Sequence, residues 1–270
     1  MTTMTTKDGI IRIENPNEEH WYWSETLKKW LPSVTTITGV YPKGDGFARW
    51  MGAQESYETA IEERDKAGDR GTRFHKTCEA ILGGSTVTFA SYRDDNALEM
   101  ITAVYEWKMV EGFVNFLNDK KPKVLKVEQR VLNEEIGYGG TVDAVMEIDG
   151  EKFVIDFKTS SGLYFSHEMQ VEAYRSAIAY MDSMGIMDMG PGLENDPEDF
   201  ELALLHLKTK NECGYSFKDL RPTPRRKSQK TKDELWANFL ACKTIWESFD
   251  GRDGPETLEL QESVSYPQSP

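Results

Sequence analysis

Only three cysteines occur in 270 residues, and Cys78, Cys213 and Cys242 stand too far apart to form a Cys-x-x-Cys pair. An iron–sulfur cluster held by four thiolates needs one more ligand than the chain has, and a zinc site built on paired cysteines is equally unsupported. Buried, reduced thiols are the expectation, which suits a reducing compartment. Long apolar runs are missing too. No stretch approaches the roughly 18 residues that a membrane helix needs, and the opening Met-Thr-Thr-Met-Thr-Thr-Lys-Asp has neither an apolar signal core nor an Arg-rich amphipathic pattern. The expectation is a cytoplasmic protein. Positive charge is the third shortage, with 32 Lys and Arg against 46 Asp and Glu and a formal net charge of −14. Such an excess of acid disfavours indiscriminate binding to polyanions, whose affinity normally draws on Lys and Arg.

The acid is unevenly spread. Residues 182–201 contribute −7 and residues 250–270 contribute −4, whereas residues 221–232 hold six cations and no acid, among them Arg225, Arg226, Lys227 and Lys230. That segment reads either as a local basic patch or as a solvated loop. With 39% hydrophobic residues, the length permits one large α/β domain over residues 1–250, followed by an acidic tail, 251–270, expected to be disordered. Short aromatic strands are expected over residues 9–31, with Trp21, Tyr22 and Trp23 before a turn and Trp30 after it, and Pro32-Ser33 opens a helix. Helical patterning covers residues 47–82 with a break near 68–71, then 94–117; residues 201–208 form a late strand and residues 232–249 a final amphipathic helix.

Between these lies the part with chemical content. Residues 126–131, 140–148 and 152–158 are rich in β-branched and apolar side chains and are separated by Ile136-Gly-Tyr-Gly139 and Asp149-Gly150. Asp149-Gly150 has the composition of a two-residue hairpin turn, so the last two strands pair antiparallel and bring Asp143 towards Asp156. Side chains alternate along a strand, so Asp156 and Lys158 share a face while Phe157 enters the opposite layer. Two carboxylates and an ammonium on one spot suit a hard divalent cation with oxygen ligands, a phosphate group and an activated water. Glu106-Trp-Lys108 and Asp119-Lys-Lys121 have similar spacing but lie off such a strand, and are read as solvated charges.

These words resemble the PD-(D/E)xK nuclease superfamily in its RecB-like exonuclease branch. Three more agree: Gly71-Thr-Arg-Phe-His75-Lys-Thr-Cys-Glu79, Gln170-Val-Glu-Ala-Tyr174, and Leu31-Pro-Ser-Val-Thr-Thr-Ile37, the last similar to the opening of mitochondrial genome maintenance exonucleases and their phage relatives. The resemblance implies a restriction-endonuclease-like core, a mixed β-sheet flanked by helices, with an N-terminal β-hairpin and a helical arch for which residues 47–70 are the candidate. It implies Mg²⁺ or Mn²⁺ held by His75, Asp143, Asp156 and the Phe157 carbonyl. Lys158 would position water, and Gln170 and Tyr174 would contact the strand being cut. Glu128 reads either as a site carboxylate near the substrate or as an exposed strand charge, and Glu79 as a partner of His75 or Lys76 or a solvent-facing group. The activity implied is DNA exonuclease action on single strands or free ends in a bacterial or phage-infected cell, with a replication or recombination protein as a partner. The alternatives are a site- or structure-specific endonuclease and a non-catalytic module that binds DNA ends. Trp21, Trp23, Trp30, Tyr41 and Trp50, near Lys43 and Arg49, supply rings either for stacking bases or for the core.

Overall fold

A computed structural model describes residues 3–14, 19–187, 196–207, 212–223, 229–252 and 254–255. The chain opens with an antiparallel meander, β1 (Thr3–Lys7), β2 (Ile10–Glu14), β3 (His20–Ser24) and β4 (Lys29–Pro32), in that spatial order. This four-stranded sheet replaces the expected hairpin. Trp21 and Tyr22 are buried in it, and Trp21 meets Trp246 edge-on at 6.1 Å, so Trp21 is a core residue and not a stacking platform. Trp23 and Trp30 sit opposite each other across β3 and β4 and pack edge-to-face at 5.3 Å.

Ser33 accepts the Thr36 amide and starts the short helix α1 (Val34–Thr38). Two helices follow, α2 (Gly44–Gly52) and α3 (Tyr57–Leu82), the second capped by Ser56. The helical break falls at residues 53–56 and not at 68–71. Gly68 and Gly71 cost only about 1 kcal/mol each inside a helix, less than the burial of Phe74, Thr77 and Cys78 on the same helix supplies. The single helix expected over 94–117 is likewise two, α4 (Phe89–Asp95) and α5 (Met100–Lys120).

The second sheet contains β5 (Lys123–Asn133), β6 (Tyr138–Ile148), β7 (Glu151–Lys158), β8 (Glu201–Leu207) and β9 (Tyr215–Asp219) in chain order. β7 and β8 run parallel, joined through α6 (Phe165–Ser183); the other pairs are antiparallel, so the sheet is mixed. The β6–β7 turn is the expected one: Ile148 pairs with Glu151, and Asp149 and Gly150 both take positive φ, 54° and 83°.

Helices cover both faces. Phe153, Ile155 and Phe157 of β7 pack with Phe74 of α3 and Phe113 and Phe116 of α5. Val154, on the alternate face, joins α1, α6 and α7 (Lys232–Phe249). The two sheets meet at β6, where Tyr22 Oη and Thr141 Oγ1 lie 2.9 Å apart and Ser33 bridges Gly139. Gly140 lets α6 descend onto β6, since a Cβ there would stand 2.5 Å from the buried Tyr174 ring. Asp156 and Lys158 therefore face α6 at the end of the sheet.

Among the described residues no helix is long and apolar enough to cross a membrane. Most of the expected tail and the middle of the basic segment lie outside the described residues. At the tail's start, Arg252 pairs with Glu19 at 2.6 Å and Pro255 is buried. Cys78 and Cys242 are buried, while Cys213 is exposed, contrary to the expectation for all three.

Candidate active site

The β6–β7 ladder runs as far as Ala144–Ile155, and one step beyond it the Asp143 carboxylate takes over, its Oδ2 accepting the Phe157 amide at 2.6 Å. The other oxygen, Oδ1, lies 3.0 Å from His75 Nδ1 on α3. Glu128, the residue of β5 facing Asp143, approaches the same nitrogen at 3.9 Å. One donor atom from each of His75, Glu128 and Asp143 lies within 4.8 Å of the other two. Glu128 is half-buried and so is no exposed strand charge. It holds φ at 48°, a left-handed conformation that costs a non-glycine residue about 1–3 kcal/mol, and this strain turns its carboxylate towards the cluster.

On the adjoining strand Lys158 Nζ lies 2.6 Å from Asp156 Oδ2 and donates to Gln170 Oε1 at 3.0 Å. Gln170 Nε2 in turn donates to Tyr174 Oη at 2.8 Å. The i, i+4 spacing on α6 thus points both side chains at the sheet's end. Asp156 is buried, and the Lys158 ammonium is the counter-charge against its Oδ2. A buried carboxylate whose counter-charge is a lysine is of the type that also suits a hard divalent cation.

The electrostatics agree. Three carboxylates, Glu128, Asp143 and Asp156, confront two cations. Burial opposes the charged form of His75, but Asp143 and then Glu128 outweigh it and push its pKa up to about 10. Burial pushes Asp156 up to about 6 despite Lys158, with Asp143 adding to the rise. Burial also raises Glu128, against the pull of His75. Such a cluster holds a positive charge between carboxylates, and a hard divalent cation with nitrogen and oxygen ligands satisfies the same need.

Of the residues named from sequence, the structure joins His75, Glu128 and Asp143 in one cluster, connects Asp143 to the Phe157 amide, and links Asp156, Lys158, Gln170 and Tyr174 in a second chain beside it. Glu79 is outside: it accepts from Lys7 at 2.7 Å. The described cations of the basic segment are paired with acids, Arg221 with Asp219 and Glu151, Lys230 with Glu234, Lys232 with Glu201. Glu106 is not solvated. It is buried and accepts from Arg73 Nε and Nη2, at 3.0 and 2.6 Å, and from Tyr92 Oη at 2.7 Å. Its spacing from Ala103, Met109, Val110 and Phe113 marks the buried face of α5, a periodicity that its acidic type conceals.

No family model matches the chain. It is similar to Mitochondrial genome maintenance exonuclease 1 of Homo sapiens, 32% identical over 115 residues, a stretch covering 40% of this chain and 30% of that protein. The chain therefore spans less than a third of that relative's length, and the relationship is a distant one to a nuclease.

Proposed function

We propose that this protein is a metal-dependent deoxyribonuclease, an exonuclease acting on single-stranded DNA or free DNA ends with Mg²⁺ or Mn²⁺. The observation that carries the reading is the convergence of His75, Glu128 and Asp143 beside the Asp156–Lys158 pair. The distant likeness to an exonuclease supports the same reaction class. His75, Asp143 and Asp156, with the Phe157 carbonyl, are the ligand set of this reading, and Glu128 is favoured as a further ligand because it faces His75. A divalent ion bound there would polarise the scissile phosphate and generate a hydroxide at neutral pH.

The chain's own groups do the rest. Lys158, fixed between Asp156 and Gln170, orients the attacking water and offsets the charge that gathers on the phosphorus oxygens. Asp143 is held by the Phe157 amide and so keeps its remaining oxygen aimed at His75. Gln170 and Tyr174 hold the scissile strand. Residues 47–70, which span most of α2 and the first half of α3, are the candidate arch: α2 buries none of its residues, and Phe47, Trp50 and Tyr57 expose rings on which bases can stack. The setting of this reading is the cytoplasm of a bacterial or phage-infected cell, with a replication or recombination protein as partner.

End dependence is tested on a covalently closed single-stranded circle beside a linear strand of the same sequence. The linear strand is expected to be degraded and the circle left intact. A linearised circle would move the reading to an endonuclease with the same site.

A further inference from the structure

Next to the Lys158 side chain, between α1 with the segment that follows it and the first turn of α6, lies a cavity of about 280 Å³. Lys158 and Gln170 form part of its wall, so it opens from the candidate active site. Its other lining groups include Thr38, Tyr41, Lys43, Ser166 and His167, and no carboxylate is among them. In a chain with 46 acids, a wall that carries Lys43, hydroxyls and no acid, with Lys158 already balanced by Asp156, favours an anion over a cation.

The individual groups have the right state. Lys43 makes no ion pair among the described residues, and its Nζ lies 4.8 Å from the centroid of the Phe47 ring. His167 Nδ1 accepts the Tyr164 amide at 3.3 Å, which leaves the proton on Nε2. Burial, then Lys158, His206 and Lys218, push its pKa down to about 3, so it is a neutral donor that Lys158 does not repel. Tyr41 leans on Phe165 with ring centroids 5.3 Å apart, which fixes an aromatic wall for a flat ring. The volume lies just under the usual range of ligand sites, about 300–1,000 Å³, room for one nucleotide and not for a string of them.

We propose that this cavity binds a single deoxynucleotide through its phosphate and base, with Lys43 and His167 on the phosphate and Tyr41 against the base. It is the terminal nucleotide of the strand at the site, an assignment that rests on the nuclease reading. A free deoxynucleoside monophosphate is the same ligand without the strand, and therefore occupies the cavity as a product would.

Calorimetric titration of the full chain in EDTA with dTMP, thymidine and inorganic phosphate tests the binding directly. dTMP is expected to bind more tightly than either of its halves, and both Lys43→Ala and His167→Asn to weaken it by about tenfold or more. Asparagine keeps an acceptor for the Tyr164 amide, so a loss there reports the missing ring donor and not an uncapped helix. Equal affinity for dTMP in the parent and both variants, no dTMP binding, or phosphate binding as tightly as dTMP would each overturn the proposal. In the strand assay dTMP, and not thymidine, is expected to slow cleavage in the range where it binds. Cleavage that dTMP does not touch refutes the cavity and leaves the nuclease standing. dTMP binding without cleavage by any metal refutes the nuclease and leaves a nucleotide site.

Discussion

Lys158→Ala is expected to lose cleavage by on the order of 10²- to 10³-fold or more while keeping DNA binding and the fold. The ammonium lies 2.6 Å from Asp156 and is hydrogen-bonded to Gln170, and its side chain is only 16% exposed. Alanine removes the group that orients water and meets the charge developing on the phosphate, an interaction made mainly in the transition state. Folding survives because Asp156, which burial pushes up to about 6, can take up a proton when no metal is bound, and with metal bound its charge is answered by the cation, so the ligand set is kept in the assay. Single-turnover cleavage, strand binding by fluorescence anisotropy and a melting curve separate the three quantities. A fully active variant would remove Lys158 from the chemistry.

Glu106→Ala is expected to give the largest loss of stability, about 3 kcal/mol, which for a chain of this size lowers the melting temperature by about 6–12 °C. Glu106 is 3% exposed and ties three helices: Arg73 of α3 by two hydrogen bonds, Tyr92 of α4 by one, and its own α5. Alanine leaves the partly buried guanidinium and the phenol without their acceptor, which costs more than the pair contributes when intact. Breaking a buried pair costs about 3–5 kcal/mol, and the lower end applies because Arg73 keeps some access to water. Burial raises the Glu106 carboxyl, but Arg73 and Tyr92 overcome it and the net shift is downward. The pair's stabilisation is therefore present above the ordinary carboxylate range and lost as pH falls through the lowered folded value. Arg73 lies two residues before His75, so the same loss loosens the helix that carries the imidazole. An unchanged melting temperature would mean that the triad holds nothing together, and recovery in the double variant Arg73→Met, Glu106→Leu would show that the unpaired charge was the cause.

The part of the fold legible in the sequence was the part governed by local rules. The turn Asp149-Gly150, the alternation that sets Asp156 and Lys158 on one face, the late strand after residue 200 and the helix over 232–249 all follow from short-range pattern. What tertiary packing decides was not legible. The meander of β1 to β4 has short, weakly alternating strands, and only packing against Trp246 of α7 shows that Trp21 belongs inside. β9, five half-buried residues, has no pattern apart from its partner β8. Glycines at 68 and 71 suggested a break that core burial overrides. In the candidate site, residue types marked Asp143, Asp156 and Lys158, and motif order marked His75, Gln170 and Tyr174. The role of Glu128 depended on one left-handed residue in a strand, which no composition rule reveals. The Lys43 and His167 cavity is assembled from two segments, residues 35–43 and 158–170, far apart in the chain, so only the fold makes it visible.

The most direct test is a time course on an end-labelled linear single strand with Mg²⁺, with Mn²⁺ and with EDTA. Shortening of the strand with either metal and full protection in EDTA is the predicted result. A strand that stays intact with both metals, bound or unbound, would contradict the assignment of His75, Glu128, Asp143, Asp156 and Lys158 to phosphodiester hydrolysis.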